Sequence, residues 1–162
     1  MVSTRLHPHK YYAGLTRKQA AARQREIAKF GSMDWRNPAA YVGFKTDRFA
    51  RKTRKSSYTA EWDRLFPGAK SLEARSKATG VPVRFLKESY DRAMAAWRTG
   101  HRPGMTPQAW AYPRVSSMLL CGKTHWTADA DLVAAAKRAS PAARHWWTRR
   151  KAAGKCSRKA AW

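Results

Sequence analysis

Large apolar side chains recur at alternating steps of three and four residues after Pro82, and this is the most restrictive pattern in the chain. Residues at that spacing share one face of an α-helix, and Pro82 suits a first turn because its nitrogen needs no acceptor there. The pattern predicts a long amphipathic helix closed by Gly100 and Pro103-Gly104. Its apolar stripe consists of Val83, Leu86, Tyr90, Met94 and Trp97.

Helix-start and helix-stop signals also divide the rest of the chain, and no alternating run of five or more residues predicts a strand. Thr16 with Gln19 has the form of a capping box for a helix to about Phe30. Further helices are predicted for 59–66, 71–80, from Thr106-Pro107, for 127–139 and from Ser140-Pro141, and Pro113 is expected to break or kink the one that contains it. The fold class is therefore all-α, a small multi-helix domain with extended basic N- and C-terminal arms. Its predicted parts are residues 1–58, an arm with the first helix; 59–136, the helical core; and 137–162, a basic Trp-containing tail.

Positive charge is concentrated at the two ends of the chain, whose formal net charge is +24. Residues 1–58 carry 14 Lys and Arg against 3 acids, residues 137–162 carry 9 against none, and residues 59–136 carry 11 against 7. Self-repulsion opposes compactness, so the surplus indicates a polyanionic partner, with nucleic acid ahead of an anionic membrane or an acidic protein. No apolar run approaches a membrane span of ~20 residues, and the first residues lack a secretory signal core.

The candidate nucleic-acid-binding residues follow from this charge distribution. The tail combines Trp146, Trp147 and Trp162 with uncompensated charge, so we expect it to be weakly ordered without a partner. Those candidates are Arg51, Lys52, Arg54 and Lys55 in the first flank and Arg149, Arg150, Lys151, Lys155, Arg158 and Lys159 in the second, with Arg84, Lys87 and Arg102 between them.

A helix-turn-helix-like corner is predicted around Gly80. Ser76, Gly80, Val81 and Leu86 fit the small residue, the left-handed glycine and the two apolar positions of that motif. In conventional docking Arg84 and Lys87 would face the major groove. The pattern is loose, and a plain helical corner explains it equally well. Glu88 and Asp91 on the second helix would repel phosphate, which favours binding through the flanks.

The run Trp97-Arg98-Thr99-Gly100-His101-Arg102-Pro103-Gly104, with Met105 to Ser117 after it, is distinctive. It resembles an uncharacterised module of unknown function in proteins of large DNA viruses of algae and of some tailed phages of cyanobacteria. The resemblance extends from about Tyr11 to Leu132. It departs from the expected pattern at Pro113, where alanine is expected, and at Cys121-Gly122, where two glycines are expected. What the resemblance implies is a viral, virion-associated context.

Catalysis and metal binding have little support in the sequence. His101, Arg102 and Arg114 could hold a phosphate, but Asp129 and Asp131 are the only acids between residues 92 and 136. Cys121 and Cys156 lack CxxC spacing and the histidines are scattered, which predicts no disulfide framework, no metal site and a reducing compartment. No catalytic residue and no cofactor are predicted.

Three functions remain as hypotheses. The first is a non-enzymatic, virus-associated protein that neutralises phosphates with little sequence specificity, on DNA in preference to RNA. The second is a minor capsid or cement protein whose arms and tryptophans contact other coat subunits. The third is an RNA-binding organellar ribosomal protein. Capsid proteins are thus a further partner, and neither a membrane nor a small-molecule substrate is expected. The predicted location is the virion or the nucleus or cytoplasm of an infected host, without secretion.

Overall fold

The computed structural model describes residues 9–41, 44–49, 54–99 and 105–158. Those residues form α-helices and short 3-10 helices and contain no strand, which confirms the all-α prediction. None of the described helices combines the length and apolarity that a membrane crossing requires. The α-helices are α1 (Arg17–Gly31), α2 (Ser57–Leu65), α3 (Leu72–Thr79), α4 (Val83–Thr99), α5 (Pro107–Leu119), α6 (Lys123–Trp126), α7 (Ala130–Ala139) and α8 (Pro141–Ala152). The 3-10 helices are His9–Tyr11, Pro38–Tyr41 and Lys45–Phe49.

Side-chain caps set most of these helix starts, as the sequence predicts. The capping box of α1 is complete, because Thr16 accepts from the Gln19 amide and Gln19 accepts from the Thr16 amide. Ser71, Thr106 and Ser140 each accept a hydrogen bond from the amide three residues later, at 3.0–3.2 Å. These bonds satisfy amides that have no partner inside the helix.

The chain divides into two compact units, and the first contains residues 1–54 and 94–110. Its described core consists of Ile27, Phe30, Phe44 and Trp97. Beside this core the Arg23 side chain is fully buried and pairs with Asp47 at 2.9 Å. Burial lowers the pKa of Arg23, and the Asp47 carboxylate opposes that shift. The N-terminal flank therefore uses one of its cations to hold its own fold together.

The second unit contains residues 55–93 and 111–162, and its described core is larger. Trp62, Leu86, Val115 and Leu119 are fully buried in this core, and the helices from α2 to α8 contribute to it. Four details differ from the sequence predictions. Helix α2 begins at Ser57 and not at Thr59, and α7 begins at Ala130 and not at Thr127, without a side-chain cap. Helix α5 runs without a break through Pro113, since buried Ala111 and Val115 hold its turns in the core. Val83, at the first turn of α4, is 39% exposed.

Helix α8 is packed into this core, in contrast to the weakly ordered tail that the sequence predicts. Trp146 and Trp147 are 6% and 2% exposed, and both indole N–H groups donate to the Leu119 carbonyl. Burial of the two indole rings stabilises this packing by more than charge repulsion opposes it, because most cations of α8 stay on the exposed face, where water screens them.

A disulfide joins Cys121 to Cys156, whereas the sequence predicts no disulfide framework and a reducing compartment. Cys121 follows α5 and Cys156 follows α8, and their Cα atoms lie 5.1 Å apart. The bridge fastens the segment after α8 to the turn after α5. It also removes the argument for a reducing compartment.

The corner between α3 and α4 has the glycine turn that the sequence predicts. Gly80 ends α3 with φ +78°, Val81 and Leu86 are fully buried, and the Ser76 hydroxyl donates to the Val81 carbonyl. A Cβ on Gly80 would lie 2.7 Å from the Ala142 Cβ of α8. The corner thus has a packing role within its unit, as a plain helical corner requires, and its use as a DNA-reading motif stays a prediction.

We expect Gly80→Ala to destabilise the protein more than Gly68→Ala. Both glycines have positive φ, so both substitutions add backbone strain, but a Cβ at Gly68 meets no atom within 4 Å. The clash with Ala142 adds an overpacking cost of about 1–3 kcal/mol at Gly80 alone. Urea unfolding of both variants measures the difference. Equal midpoints would show that α8 moves away from the corner without cost.

Candidate nucleic-acid interface

Helix α8 separates apolar from cationic side chains. Ser140 caps it, Pro141 opens its first turn, and Ala143, Trp146 and Trp147 face the core. The opposite face is exposed and continues into the loop that ends at the disulfide. That exposed surface, called here the α8 basic face, consists of Arg144, His145, Thr148, Arg149, Lys151, Lys155 and Arg158.

Acidic residues are absent from this part of the sequence, because 137–158 contains eight Lys and Arg and no Asp or Glu. Within the described residues, no ion pair involves Lys151, Lys155 or Arg158, and Arg149 lies over the Trp146 ring at 6.0 Å. The pKa of Glu61 is lowered chiefly by its hydrogen bond with Arg64 and in smaller part by the charge of Lys155. Arg149 and Lys151 also lie in the last turn of α8, where the negative end of the helix dipole stabilises cations. That role explains a helix-end cluster but not the continuation through Lys155 and Arg158.

Arg150 is the predicted binding residue of this flank that the structure turns inward. It is half-buried, lies over the Trp146 ring at 5.6 Å and donates to the Leu120 carbonyl at 3.4 Å. Burial lowers its pKa. The sequence did not predict this burial, because Arg149, Arg150 and Lys151 are consecutive cations. Only the position of each on the helix decides which one faces the core. Lys159 lies outside the described residues.

Two of the four predicted cations of the first flank, Arg54 and Lys55, belong to the described residues, and Arg54 is exposed. Arg51 and Lys52 lie outside the described residues, as does Arg102 between the flanks. Lys55, in the second unit, forms an ion pair with Asp63 at 2.7 Å and lowers the pKa of that carboxyl. Lys55 is therefore neutralised in the free protein.

The two predicted residues of the corner are exposed on α4. Arg84 lies 4.8 Å over the ring of Phe85, and Lys87 pairs with Asp91 at 3.1 Å. The Lys87 pair reduces the positive charge that this helix offers to phosphate.

Arg144 is a member of the α8 basic face that sequence reasoning missed. It lies one turn before Thr148 and two before Lys151, and its guanidinium donates to the Lys137 carbonyl at 3.0 Å. The helical period counted from the Ser140-Pro141 start would have placed it beside the predicted residues.

Arg114, one of the residues of the candidate phosphate site, forms an ion pair with the buried carboxylate of Asp129. Its guanidinium donates two hydrogen bonds to Asp129, at 2.8 and 3.2 Å, and Ser89 donates a third at 2.7 Å. Asp131 is paired with Arg92 at 2.7 Å. Both acids near the site are thus neutralised, while His101 and Arg102 lie outside the described residues.

The first unit contains a cavity of about 470 Å³, lined by Tyr41, Phe44, Arg48 and Trp97 among others. The acid in its lining, Asp47, is the ion-pair partner of Arg23. Among the described residues that line it, the cavity therefore has aromatic surface but no unpaired carboxylate that could act as a general base.

The two disulfide cysteines and a neighbouring histidine form a cluster that could hold a metal ion once the disulfide is reduced, which the sequence does not predict. Cys121, His125 and Cys156 are buried, and one ligand atom from each lies within 4.8 Å of the others. Burial, together with the charges of Lys137 and Arg150, lowers the pKa of His125 to about 4, although the hydrogen bond with the Met118 carbonyl opposes that shift, so its ring is neutral at pH 7. The fold of α8 back onto the turn after α5 brings together residues 35 positions apart.

Comparison with known families adds one match. A model described as "Family of unknown function (DUF5824)" matches residues 8–133, most of the chain. The chain belongs to this family. No curated protein and no solved structure matches it. The matched region agrees with the extent of the resemblance in the sequence, and it ends before α8, so the α8 basic face lies outside the part that defines the family.

Proposed function

We propose that this DUF5824 protein is a non-enzymatic nucleic-acid-binding protein that neutralises DNA phosphates with little sequence specificity. The observation that carries the proposal is the α8 basic face. Its cations are exposed and lie on a helix fixed by two buried tryptophans and on the loop after that helix. They include members without a carboxylate partner among the described residues. Fixed cations displace condensed counterions from a phosphate backbone, which drives sequence-independent binding.

Duplex DNA suits this surface better than single-stranded RNA. Recognition of single strands depends on exposed aromatic rings for base stacking. In the described part of the second unit, the tryptophans of α8 are buried, and the exposed large apolar residue is Val83, which has no ring. The resemblance to viral modules supports a viral context, in which genome binding is a plain use for such a surface.

The coat-protein hypothesis loses one of its arguments. It expects Trp146, Trp147 and Trp162 to have an ordered place only on a neighbouring subunit. Trp146 and Trp147 are buried in their own unit, and Trp162 lies outside the described residues. An enzymatic function also has little support, because the carboxylates of α2, α4 and α7 are paired with Lys or Arg and are poor candidates for a general base.

Charge-matched variants test the α8 basic face. In the first, Arg149, Lys151 and Lys155 are changed to Gln; in the second, Lys55, Arg64 and Lys87 are changed to Gln. The second set removes the same charge from cations that are paired with Asp63, Glu61 and Asp91. Binding to a mixed-sequence DNA duplex is measured by fluorescence anisotropy from ~50 to ~200 mM salt, after circular dichroism shows that both variants are folded.

We expect the plot of log affinity against log salt to become less steep in the first variant. The magnitude of its negative slope should fall by up to about 2.7, since each of the three lost phosphate contacts contributes about 0.9. The second variant should change it by less than about 1. Equal losses in both would show that net charge alone acts, and a salt-independent affinity of the wild type would contradict DNA binding. Duplex and single-stranded RNA of the same sequence test the preference for DNA.

A further inference from the structure

Three ligand-bearing side chains meet at one buried point of the second unit. Cys121 lies in the turn after α5, His125 in α6, and Cys156 in the loop after α8. They are 3%, 3% and 8% exposed, and their ligand atoms lie within 4.8 Å of one another. In the oxidised protein the two sulfur atoms bond to each other, and the histidine lies beside them.

The tautomer of His125 suits a ligand. Its Nδ1 lies 2.9 Å from the Met118 carbonyl oxygen, which can only accept a hydrogen bond, so Nδ1 carries the proton. The free lone pair is therefore on Nε2. Metal-binding histidines commonly donate the other ring N–H to a backbone carbonyl in this way. The rings of Trp126 and Trp147 pack edge-on around the imidazole and fix its plane.

We propose that the reduced protein binds one Zn²⁺ ion through Cys121, Cys156 and Nε2 of His125, with water as the fourth ligand. Two thiolates and an imidazole form a donor set that Zn²⁺ prefers. Tetrahedral zinc with Zn–S bonds of about 2.3 Å separates two sulfur ligands by about 3.8 Å, so the two sulfur atoms must move apart after reduction. The histidine needs less movement, because its ligand atom already lies within 4.8 Å of both sulfur atoms. Two thiolates also balance the charge of the ion, as a buried site requires.

The chemistry links two states of the same cluster. A dithiol or phosphine reductant supplies two electrons, and with two protons the disulfide becomes two thiols. Zn²⁺ then displaces both thiol protons. A disulfide-class oxidant reverses the sequence by taking up two electrons, forming the S–S bond and releasing the ion. In either state the loop after α8, and with it Lys155, is fastened to the turn after α5.

The test uses the full chain, oxidised and reduced, under anaerobic conditions. Zn²⁺ is titrated in competition with a chromophoric chelator, and Co²⁺ reports thiolate ligation through its charge-transfer and ligand-field bands. His125→Asn keeps an N–H that can reach the Met118 carbonyl but removes the Nε2 ligand. Cys156→Ser removes one thiolate. His145→Asn is the matched control, because His145 is exposed on α8.

We expect one Zn²⁺ per reduced chain and none per oxidised chain. The Zn²⁺ affinity should weaken more than about tenfold in His125→Asn and in Cys156→Ser, and it should not change in His145→Asn. The absence of binding by the reduced wild type would overturn the proposal, as would unchanged affinity in folded His125→Asn. X-ray absorption of the Zn²⁺-loaded wild type does not depend on any variant: two sulfur and two light-atom ligands support the site, and any other donor set contradicts it.

Discussion

Replacing Asp129 with Ala should destabilise the protein by about 3 kcal/mol, the low end of the cost of breaking a buried ion pair. The Asp129 side chain is fully buried and accepts hydrogen bonds from Ser89 and from two nitrogens of Arg114. Arg92 also approaches it, at 3.6 Å. Without the carboxylate, the Arg114 side chain, itself only 17% exposed, loses its counter-charge in a poorly solvated position. Urea unfolding measures the loss.

Asp131→Ala is the matched control, since it removes a carboxylate two residues away that also pairs with arginine. Its side chain is 63% exposed, so water replaces the lost partner of Arg92 and the cost should stay below about 1 kcal/mol. Similar losses at the two positions would mean that the Asp129 network is solvated in solution.

Local signals explain how much of the fold could be predicted from the sequence. The caps at Thr16, Ser71 and Ser140 and the left-handed turn at Gly80 depend on residues within one helical turn, and all were confirmed. Continuity through Pro113 depends on the core around α5, and the bond between Cys121 and Cys156 depends on how α8 folds back. Neither can be read from neighbouring residues.

The candidate interface was predicted less well, for the same reason. The four-residue spacing of Lys87 and Asp91 makes their pair readable on a helix, whereas the pair of Lys55 and Asp63 joins a residue before α2 to one within it. The inward turn of Arg150 requires knowing which face of α8 the two tryptophans occupy. Net charge thus located the flank, and packing decided which of its cations are available.

Replacing Trp97 with Ala should destabilise the first unit by about 3–5 kcal/mol, the usual cost of truncating a buried tryptophan. Trp97 is 2% exposed, and its indole N–H donates to the Met105 carbonyl at 2.9 Å. Its ring stacks with Tyr41 at 5.8 Å and meets Phe44 edge-on at 5.2 Å. The substitution therefore removes the largest member of this small described core and leaves a cavity beside Phe44.

Hydrogen exchange read by mass spectrometry localises that effect, because amides of α1 should lose protection when the core that holds Ile27 and Phe30 is weakened. Phe49→Ala is the control, since Phe49 is 38% exposed and its loss should cost less than about 1 kcal/mol. Trp97→Phe should recover much of the stability, as it restores apolar volume without the N–H donor. Unchanged exchange in α1 of Trp97→Ala would place the stabilising contacts of the first unit elsewhere than around this ring.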